Sequence, residues 1–531
     1  MNDKKIQVWL PLFLSVSLII GMFFGYKLKD NMGAYGPSFF GKSQKTSLQE
    51  ILDLVKQKYV DTVNVDSLGL FAIQDVLSQL DPHSIYIPPK ELRTVNEEMQ
   101  GSFEGVGIEF DLIRDTVFVL NVVHDGPAFK AGLQIGDKLI SANDSLLSGV
   151  KRGEKSIVSI FRGAKGTEVF VKLLRNQQLK EFTIQRGIIP LKSVEAAYLI
   201  EPEVAYIRLN RFASSTYEEF MENLERLKKE GMKKLILDLR GNGGGMLDDA
   251  VQIADEFIDG NKEIVYTEGK STPKQIYFSR RPGLFENGNL VLLIDEGSAS
   301  ASEVLAGALQ DWDRATIIGR RSFGKGLVQE QFQLNDGSAV RLTVSRYYTP
   351  IGRSIQKPYD RNNHEKYMEE VNNRYKNGAL FHNDSAIHIG KIYKTKNGRT
   401  VYGGGGISPD IYIPVDSNTT IPNAIKENIK ETLHEVVFNY YLQHQSKLTA
   451  LKSPSELIKD LSITTELWQV FRAKSAEKGI QTDTYSLLVQ NEIKEYLHSM
   501  LSRYIWHTLG YIQMMNMNDP MIKRALEEIK K

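Results

Sequence analysis

Apolar positions along the chain change their spacing several times, and each change marks a different kind of segment. Near the start, residues 6–26 read IQVWLPLFLSVSLIIGMFFGY without a charged side chain. As a helix rising about 1.5 Å per residue, this stretch matches the roughly 30 Å hydrocarbon core of a bilayer. Lys4 and Lys5 precede it, as in a signal anchor, and Lys27 and Lys29 follow it. No A-x-A-like cleavage site follows the apolar run, so an uncleaved anchor over residues 1–30 is expected, with a cleaved signal peptide as the competing reading. Either way the rest of the chain is expected outside the cytoplasm. Residues 31–46, rich in Gly and Ser, read as a linker.

Helical spacing begins at 47. Leu48, Ile51, Leu52 and Val55 form one apolar stripe, and Leu70, Ile73, Val76, Leu77 and Leu80 a second, ended by Asp81-Pro82. This predicts a small helical unit over 47–98. From 99 to 187 short alternating runs at 105–110, 116–123, 138–142 and 168–174 are separated by Gly126-Pro127, Gly132, Gly136-Asp137 and Gly163 to Gly166, a pattern of β-strands and turns. Over 188–415 strands at 204–209, 234–239, 290–294 and 315–318 alternate with helices at 216–229, 248–258 and 301–312. That order predicts an α/β core with largely parallel pairing. Residues 338–347 add a strand. The chain then turns helical over 416–531, with Trp468, Phe471, Tyr496, Tyr504 and Trp506 as core bulk. The fold class is therefore multidomain α+β.

Composition narrows the chemistry. Lys plus Arg number 66 and Asp plus Glu 65, which leaves no electrostatic footprint for nucleic acid. There is no cysteine, so thiolate nucleophiles, disulfides and Cys-ligated metals are excluded. No H-E-x-x-H motif or carboxylate set predicts a metal, and no cofactor is expected. Gly319 to Gly326 contains the G-x-x-x-x-G-K core of a phosphate loop. Gly326 stands where Ser or Thr would bind magnesium, and the following LVQEQFQL alternates like a strand where a helix is required. Ser271-Thr272-Pro273-Lys274 matches S-x-x-K, but Pro273 argues against the helix that motif needs.

The segment 290–330 is richer. A buried strand runs into Gly297-Ser298-Ala299-Ser300-Ala301 and then a helix. A serine at such a junction sits beside free backbone amides and a helix dipole that stabilise a developing oxyanion, although N-capping alone also accounts for Ser298, Ser300 and Ser302. A nucleophile needs a base. None of the nine histidines stands out. Lys325, between Gly324 and Gly326, is the better candidate, because burial lowers an amine's pKa toward the neutral range. Gln329 lies four residues on, with its side chain on the same face of a strand. The glycine-rich loop after Asp238-Leu239-Arg240 offers further backbone amides.

Together Ser298 to Glu303, Phe323 to Gly326 with Gln329, and Asp238 to Gly245 resemble the carboxy-terminal processing peptidases, or tail-specific proteases. So do Leu80-Asp81-Pro82-His83-Ser84, Gly126-Pro127-Ala128, Ala131-Gly132-Leu133 and Gly403 to Asp410, all in the family's order between residues 47 and 415. The resemblance implies a PDZ-like β domain and a crotonase/ClpP-like peptidase core. It implies Ser300 as nucleophile, Lys325 as base and Gln329 as the residue orienting the lysine. It also implies an oxyanion hole from the N–H groups of Ala301 and Gly244. In the PDZ-like module Gly105, Val106, Gly107 and Ile108 match the carboxylate-binding loop and edge strand, and Arg162 matches an arginine linking substrate engagement to the active state. The expected partners are proteins with apolar C-termini, with a homo-oligomer or adaptor possible in principle, and the expected location is the periplasmic side of an inner membrane. Two competing readings are an inactive PDZ scaffold and an acyl-CoA-handling enzyme on a related core. The intact Ser300, Lys325 and Gln329 set argues against the first and the peptide-binding module against the second.

Overall fold

A six-stranded sheet organises the part of the chain that carries the candidate chemistry. Its strands lie in the order Val194–Glu201, Val204–Leu209, Lys234–Asp238, Leu290–Ile294, Thr316–Gly319 and Ile411–Tyr412. The first pair is antiparallel and every later pair parallel. Strand periodicity assigns the two faces. Leu235, Leu237, Leu290, Leu292, Ile294 and Ile317 point to helices Thr216–Lys229, Leu247–Asp255 and Ala301–Asp311. Ile236, Val291, Leu293 and Ile318 point the other way, to Ile512, Ile522, Ala525 and Ile529 of the C-terminal helices. Both faces are covered, which is why Leu290–Ile294 is apolar at every position.

The computed structural model describes residues 9, 11, 14–22, 46–360, 364–381, 390–415 and 423–531. It divides into two compact units, 1–73 and 74–531. In the first, helix Ser47–Lys58 opens with a capping box between Thr46 and Gln49. Among the described residues no helix is long and apolar enough to cross a membrane. Residues 14–22 of the apolar stretch are helical and exposed, while positions 6–8, 10, 12, 13 and 23–26, like 31–45 of the expected linker, lie outside the described residues.

In the second unit, an antiparallel sheet packs beside the mostly parallel one. It joins Ile85–Ile87, Ala339–Tyr348, Glu263–Glu268 and Gln275–Phe278, with Leu327–Gln333 paired to Ala339–Tyr348. Residues 108–185 form an antiparallel sheet ordered Ile108–Ile113, Thr116–Val122, Lys138–Ala142, Glu168–Arg175 and Gln178–Gln185, closed by the short helix Glu154–Phe161. Helices Asn423–Leu448, Leu461–Glu477 and Leu487–Asn516 enclose their own core. They also meet this β module, where the Phe118 and Phe438 rings lie 5.3 Å apart and Arg114 pairs with Glu435 at 2.6 Å.

Candidate active site

Three loops leave the carboxyl ends of adjacent parallel strands, the place where open α/β sheets bind ligands. They follow Lys234–Asp238, Leu290–Ile294 and Thr316–Gly319, and they bring together the glycine-rich loop, the serine turn and the lysine loop.

The serine turn is stitched to the glycine loop. Ser298 is fully buried and its hydroxyl donates to Leu239 O at 2.8 Å. Ser302 is also fully buried and donates to Asn242 O at 2.8 Å. The Ala299 amide donates to the same Asn242 carbonyl at 3.0 Å. Of the three serines, only Ser300 donates its hydroxyl to no partner among the described residues. Its backbone, at φ 54° and ψ −114°, lies outside the regions that non-glycine residues favour. Such strain costs about 1–3 kcal/mol and persists only where the surroundings enforce it. The helix Ala301–Asp311 begins at the next residue, and the Ala301 amide makes no hydrogen bond among the described residues.

The glycine loop differs from expectation in one respect. The Gly244 amide, expected to serve an oxyanion, donates to Asn242 Oδ1 at 2.9 Å. This closes an Asx-type turn. The amides of Gly243 and Gly245 have no partner among the described residues. Gly245 approaches another segment closely. A Cβ there would stand 1.9 Å from Phe212 O.

Lys325 is half-buried, two residues before strand Leu327–Gln333. Burial, reinforced by the nearby Arg341 charge, pushes its amine below the usual lysine range, while Glu303 and Asp81 pull it back up. Lys325 Nζ has no hydrogen-bond partner among the described residues, so it is not bonded to Ser300 Oγ here. Catalytic contacts of this kind commonly tighten only when substrate is bound. Gln329, expected to orient the amine, donates instead to Thr343 Oγ1 at 3.3 Å. Thr343 in turn donates to Asp81 Oδ1 at 3.0 Å, and Asp81 accepts from Ser84 Oγ at 2.6 Å. The Asp81-Pro82-His83-Ser84 segment thereby fixes the strand facing Gln329.

Two residues that the sequence reading gave no role join the loops. Glu303 is completely buried. Its Oε2 accepts from the amides of Ser300 (2.9 Å) and Lys325 (2.8 Å), and its Oε1 from the Gly324 amide (2.7 Å) and the Ser322 hydroxyl (2.5 Å). Burial pushes this carboxyl up to about 7 against the pull of those four donors. Tyr347 Oη lies 2.7 Å from Lys325 O and 3.1 Å from Ser300 O. Glu303 had a readable signal, because Ser300 and Glu303 stand at the capping-box spacing. Tyr347 had none.

In the β module, Val106 O and Gly107 O accept from Ala128 and Val123 amides at 2.9 and 3.0 Å. Gly105 ends a strand paired to Gly187–Pro190, and Ile108 starts the sheet's free edge. Arg162 caps helix Glu154–Phe161 and reaches Glu97 at 2.6 Å, with its guanidinium 4.5 Å from the Phe103 ring centre. Glu97 lies on helix Pro89–Gln100, whose Asn96 accepts from Gln331 at 3.0 Å.

An edge-strand β module joined to a crossover core with a strained serine at a helix N-terminus defines a serine peptidase carrying a PDZ domain. Comparison with known proteins agrees. Residues 203–361 match the model of peptidase family S41, residues 105–185 that of the PDZ domain, and residues 428–507 a family of unknown function. A carboxy-terminal-processing protease of Bartonella bacilliformis is 35% identical over 351 residues, covering 65% of this chain and 78% of that protein. A probable CtpA-like serine protease of Staphylococcus epidermidis is 32% identical over 361 residues, covering 67% and 73%. A solved photosystem II D1 C-terminal processing protease aligns over 71% of this chain and 88% of its own, at 26% identity and a TM-score of 0.35. The chain belongs to peptidase family S41, the carboxy-terminal processing proteases.

Proposed function

We propose that this peptidase hydrolyses proteins through a Ser300–Lys325 dyad, after its PDZ domain has taken the substrate's apolar C-terminus. The observation that carries the reading is Ser300, strained in its backbone and donating its hydroxyl to no group among the described residues, beside a lysine whose charge is disfavoured by burial.

In the mechanism, neutral Lys325 Nζ accepts the Ser300 proton as Oγ bonds to the scissile carbonyl carbon. The resulting oxyanion faces the Ala301 amide at the helix N-terminus and an uncommitted amide of the 243–245 loop. Collapse breaks the C–N bond, and the ammonium of Lys325 returns the proton to the leaving amine. An acyl-enzyme remains. Water then attacks the ester carbon and gives its proton to the same lysine, which passes it to Ser300 Oγ. Gln329, held at Thr343, supports the lysine without adding charge.

A substrate tail adds to the open edge of Ile108–Ile113, its carboxylate at the 105–107 loop. Arg162, through Glu97 and helix Pro89–Gln100, connects that groove to the strand bearing Gln329. We also assign residues 6–26 as a membrane anchor that places residues 47–531 on the periplasmic side; the uncharged apolar sequence supports this.

The test is cleavage of an unstructured protein with an apolar C-terminus by the full chain in detergent. Wild type is expected to cut it. Ser300→Ala and Lys325→Ala are expected to bind it uncut. Full activity in either variant removes that residue from the mechanism, and binding without cleavage by wild type would favour a peptide-binding scaffold.

A further inference from the structure

A Ser–Lys pair works only if two side chains on different loops are held at one separation. Ser300 belongs to the parallel sheet's crossover, whereas Lys325 lies in the loop two residues before a strand of the neighbouring antiparallel sheet. No ladder hydrogen bond runs directly between Ser300 and Lys325. The two loops are joined by the Phe323 amide, which donates to Ser298 O at 3.0 Å, and by one carboxylate that holds Ser300 and Lys325 themselves. We propose that Glu303 is the positioning residue that sets the separation of Ser300 and Lys325, and that Tyr347 braces the same pair from the carbonyl side.

This inference deepens the dyad reading and rests on it. All four donors to Glu303 are N–H or O–H groups, and a carboxylate has about four lone-pair sites. The side chain is therefore saturated, and it does not serve as a second base. The Ser322 hydroxyl that donates to it also accepts the Ile407 amide at 2.6 Å. Three motif segments thus converge on one buried group: 298–303, 322–326 and 403–410. Tyr347 Oη completes the frame, since it lies within hydrogen-bond distance of both carbonyls whose amides Glu303 holds. The amides and the carbonyls of Ser300 and Lys325 are each tied by one side chain, and the two peptide segments have little freedom left to separate.

The arrangement requires the ionised carboxylate, because a protonated one replaces an acceptor site with a donor aimed at a donor. The charged and titratable groups that act on Glu303 or respond to it are Lys325, Lys357, Tyr347 and Tyr367. Lys357 is held by Glu370 at 3.1 Å, and both phenols are pushed up by burial, out of the neutral range.

The test uses the full chain in detergent and compares Glu303→Gln and Tyr347→Phe with wild type, alongside Ser300→Ala and Lys325→Ala. Glutamine keeps the volume but turns half the acceptor into a donor. For Glu303→Gln, kcat is expected to fall about a hundredfold with KM little changed, as for a loss of dyad geometry. Tyr347→Phe, which deletes one hydroxyl, is expected to lose about tenfold in kcat with its melting temperature nearly kept. On the acid limb, log kcat/KM of wild type should climb with a slope approaching two, since both Lys325 and Glu303 must lose a proton. In Glu303→Gln it should climb with a slope of one. Any contribution from Lys357 is common to both proteins, so the difference isolates Glu303. Wild-type kcat and an unchanged acid limb in folded Glu303→Gln, with both dyad variants dead, would overturn the positioning role alone. If Glu303→Gln does not fold, Tyr347→Phe decides, and wild-type kcat there overturns the brace. An active Lys325→Ala variant would instead remove the dyad reading, and this inference with it.

Discussion

Replacing Gly244 with alanine probes how tightly the glycine loop is fitted to the nucleophile turn. Gly244 has φ +95°, and a Cβ there would stand 2.6 Å from Ala299 O, 2.8 Å from Ser300 Cβ and 2.9 Å from the Ala301 amide nitrogen. All three neighbours belong to the turn that presents the nucleophile, and none is the free end of a flexible side chain. Relief needs a movement of roughly half an ångström or more before ordinary contact distances return. Shifts on the 1 Å scale at reacting groups cost about a hundredfold in rate, so a fall of that order in kcat is expected. The left-handed backbone adds a penalty of about 1–2 kcal/mol for any residue with a Cβ. Two neighbours separate these effects. Gly241 has φ +71° with nothing within 4 Å, so Gly241→Ala carries the backbone penalty alone. It is expected to lower the melting temperature by a few degrees and to leave kcat near wild type. Gly243 has open space and no left-handed φ, so Gly243→Ala should be close to neutral in both. The assay is steady-state cleavage of the unstructured, apolar-tailed substrate, with a thermal melt of each variant. Wild-type kcat in Gly244→Ala, or an equal loss in Gly243→Ala, would refute the steric argument.

Other consequences are open to measurement. Arg341→Gln removes a positive charge that helps hold Lys325 neutral, so the lysine pKa should rise and the acid limb of kcat/KM move to higher pH; an unmoved limb would show that Arg341 is not felt at the amine. Arg162→Ala breaks the 2.6 Å pair with Glu97, and about tenfold should be lost on a tailed protein but little on a short peptide without the apolar tail; equal loss on both would place Arg162 outside tail coupling. Arg240→Ala should destabilise the protein by about 3–5 kcal/mol in urea melts, because it strands a buried charge. Burial alone would raise Asp238, but Arg240 outweighs it and holds the carboxyl below the usual range, and Arg240 also pairs with Asp519 at 2.5 Å. Because that folded-state pKa is depressed, the stabilisation is present above the unfolded carboxylate pKa and is lost as pH falls through the folded one. A loss under 1 kcal/mol would mean the cluster relaxes into solvent.

The elements with long, clean periodicity were readable from the chain. Helix Thr216–Lys229 runs over the predicted residues, because Phe220, Leu224 and Leu227 repeat at helical spacing and are all buried. The strands at 234 and 290 were legible as apolar runs buried on both faces. Helix Glu154–Phe161 escaped notice, being short and rich in Ile, Val and Ser, with only Ile157 and Phe161 buried. The hairpin Glu263–Glu268 with Gln275–Phe278 also escaped, since its second strand is only partly buried and lacks a strong alternation. At the site, motif order placed Ser300 and Lys325 on loops that do come together. It did not show that the Gly244 amide is spent on Asn242, that Gln329 turns to Thr343, or that Tyr347 spans both carbonyls. These are contacts between segments distant in sequence, and no local spacing encodes them.

The account is tested most directly by covalent trapping of the nucleophile. Wild type, Ser300→Ala and Lys325→Met are each exposed to a small fluorophosphonate at neutral pH, and the adduct is followed by intact mass and mapped by peptide sequencing. One adduct per chain on Ser300 is expected, absent in Ser300→Ala and formed at least about a hundredfold more slowly in Lys325→Met. An adduct on Ser298 or Ser302, or an undiminished rate in Lys325→Met, would contradict the Ser300–Lys325 dyad.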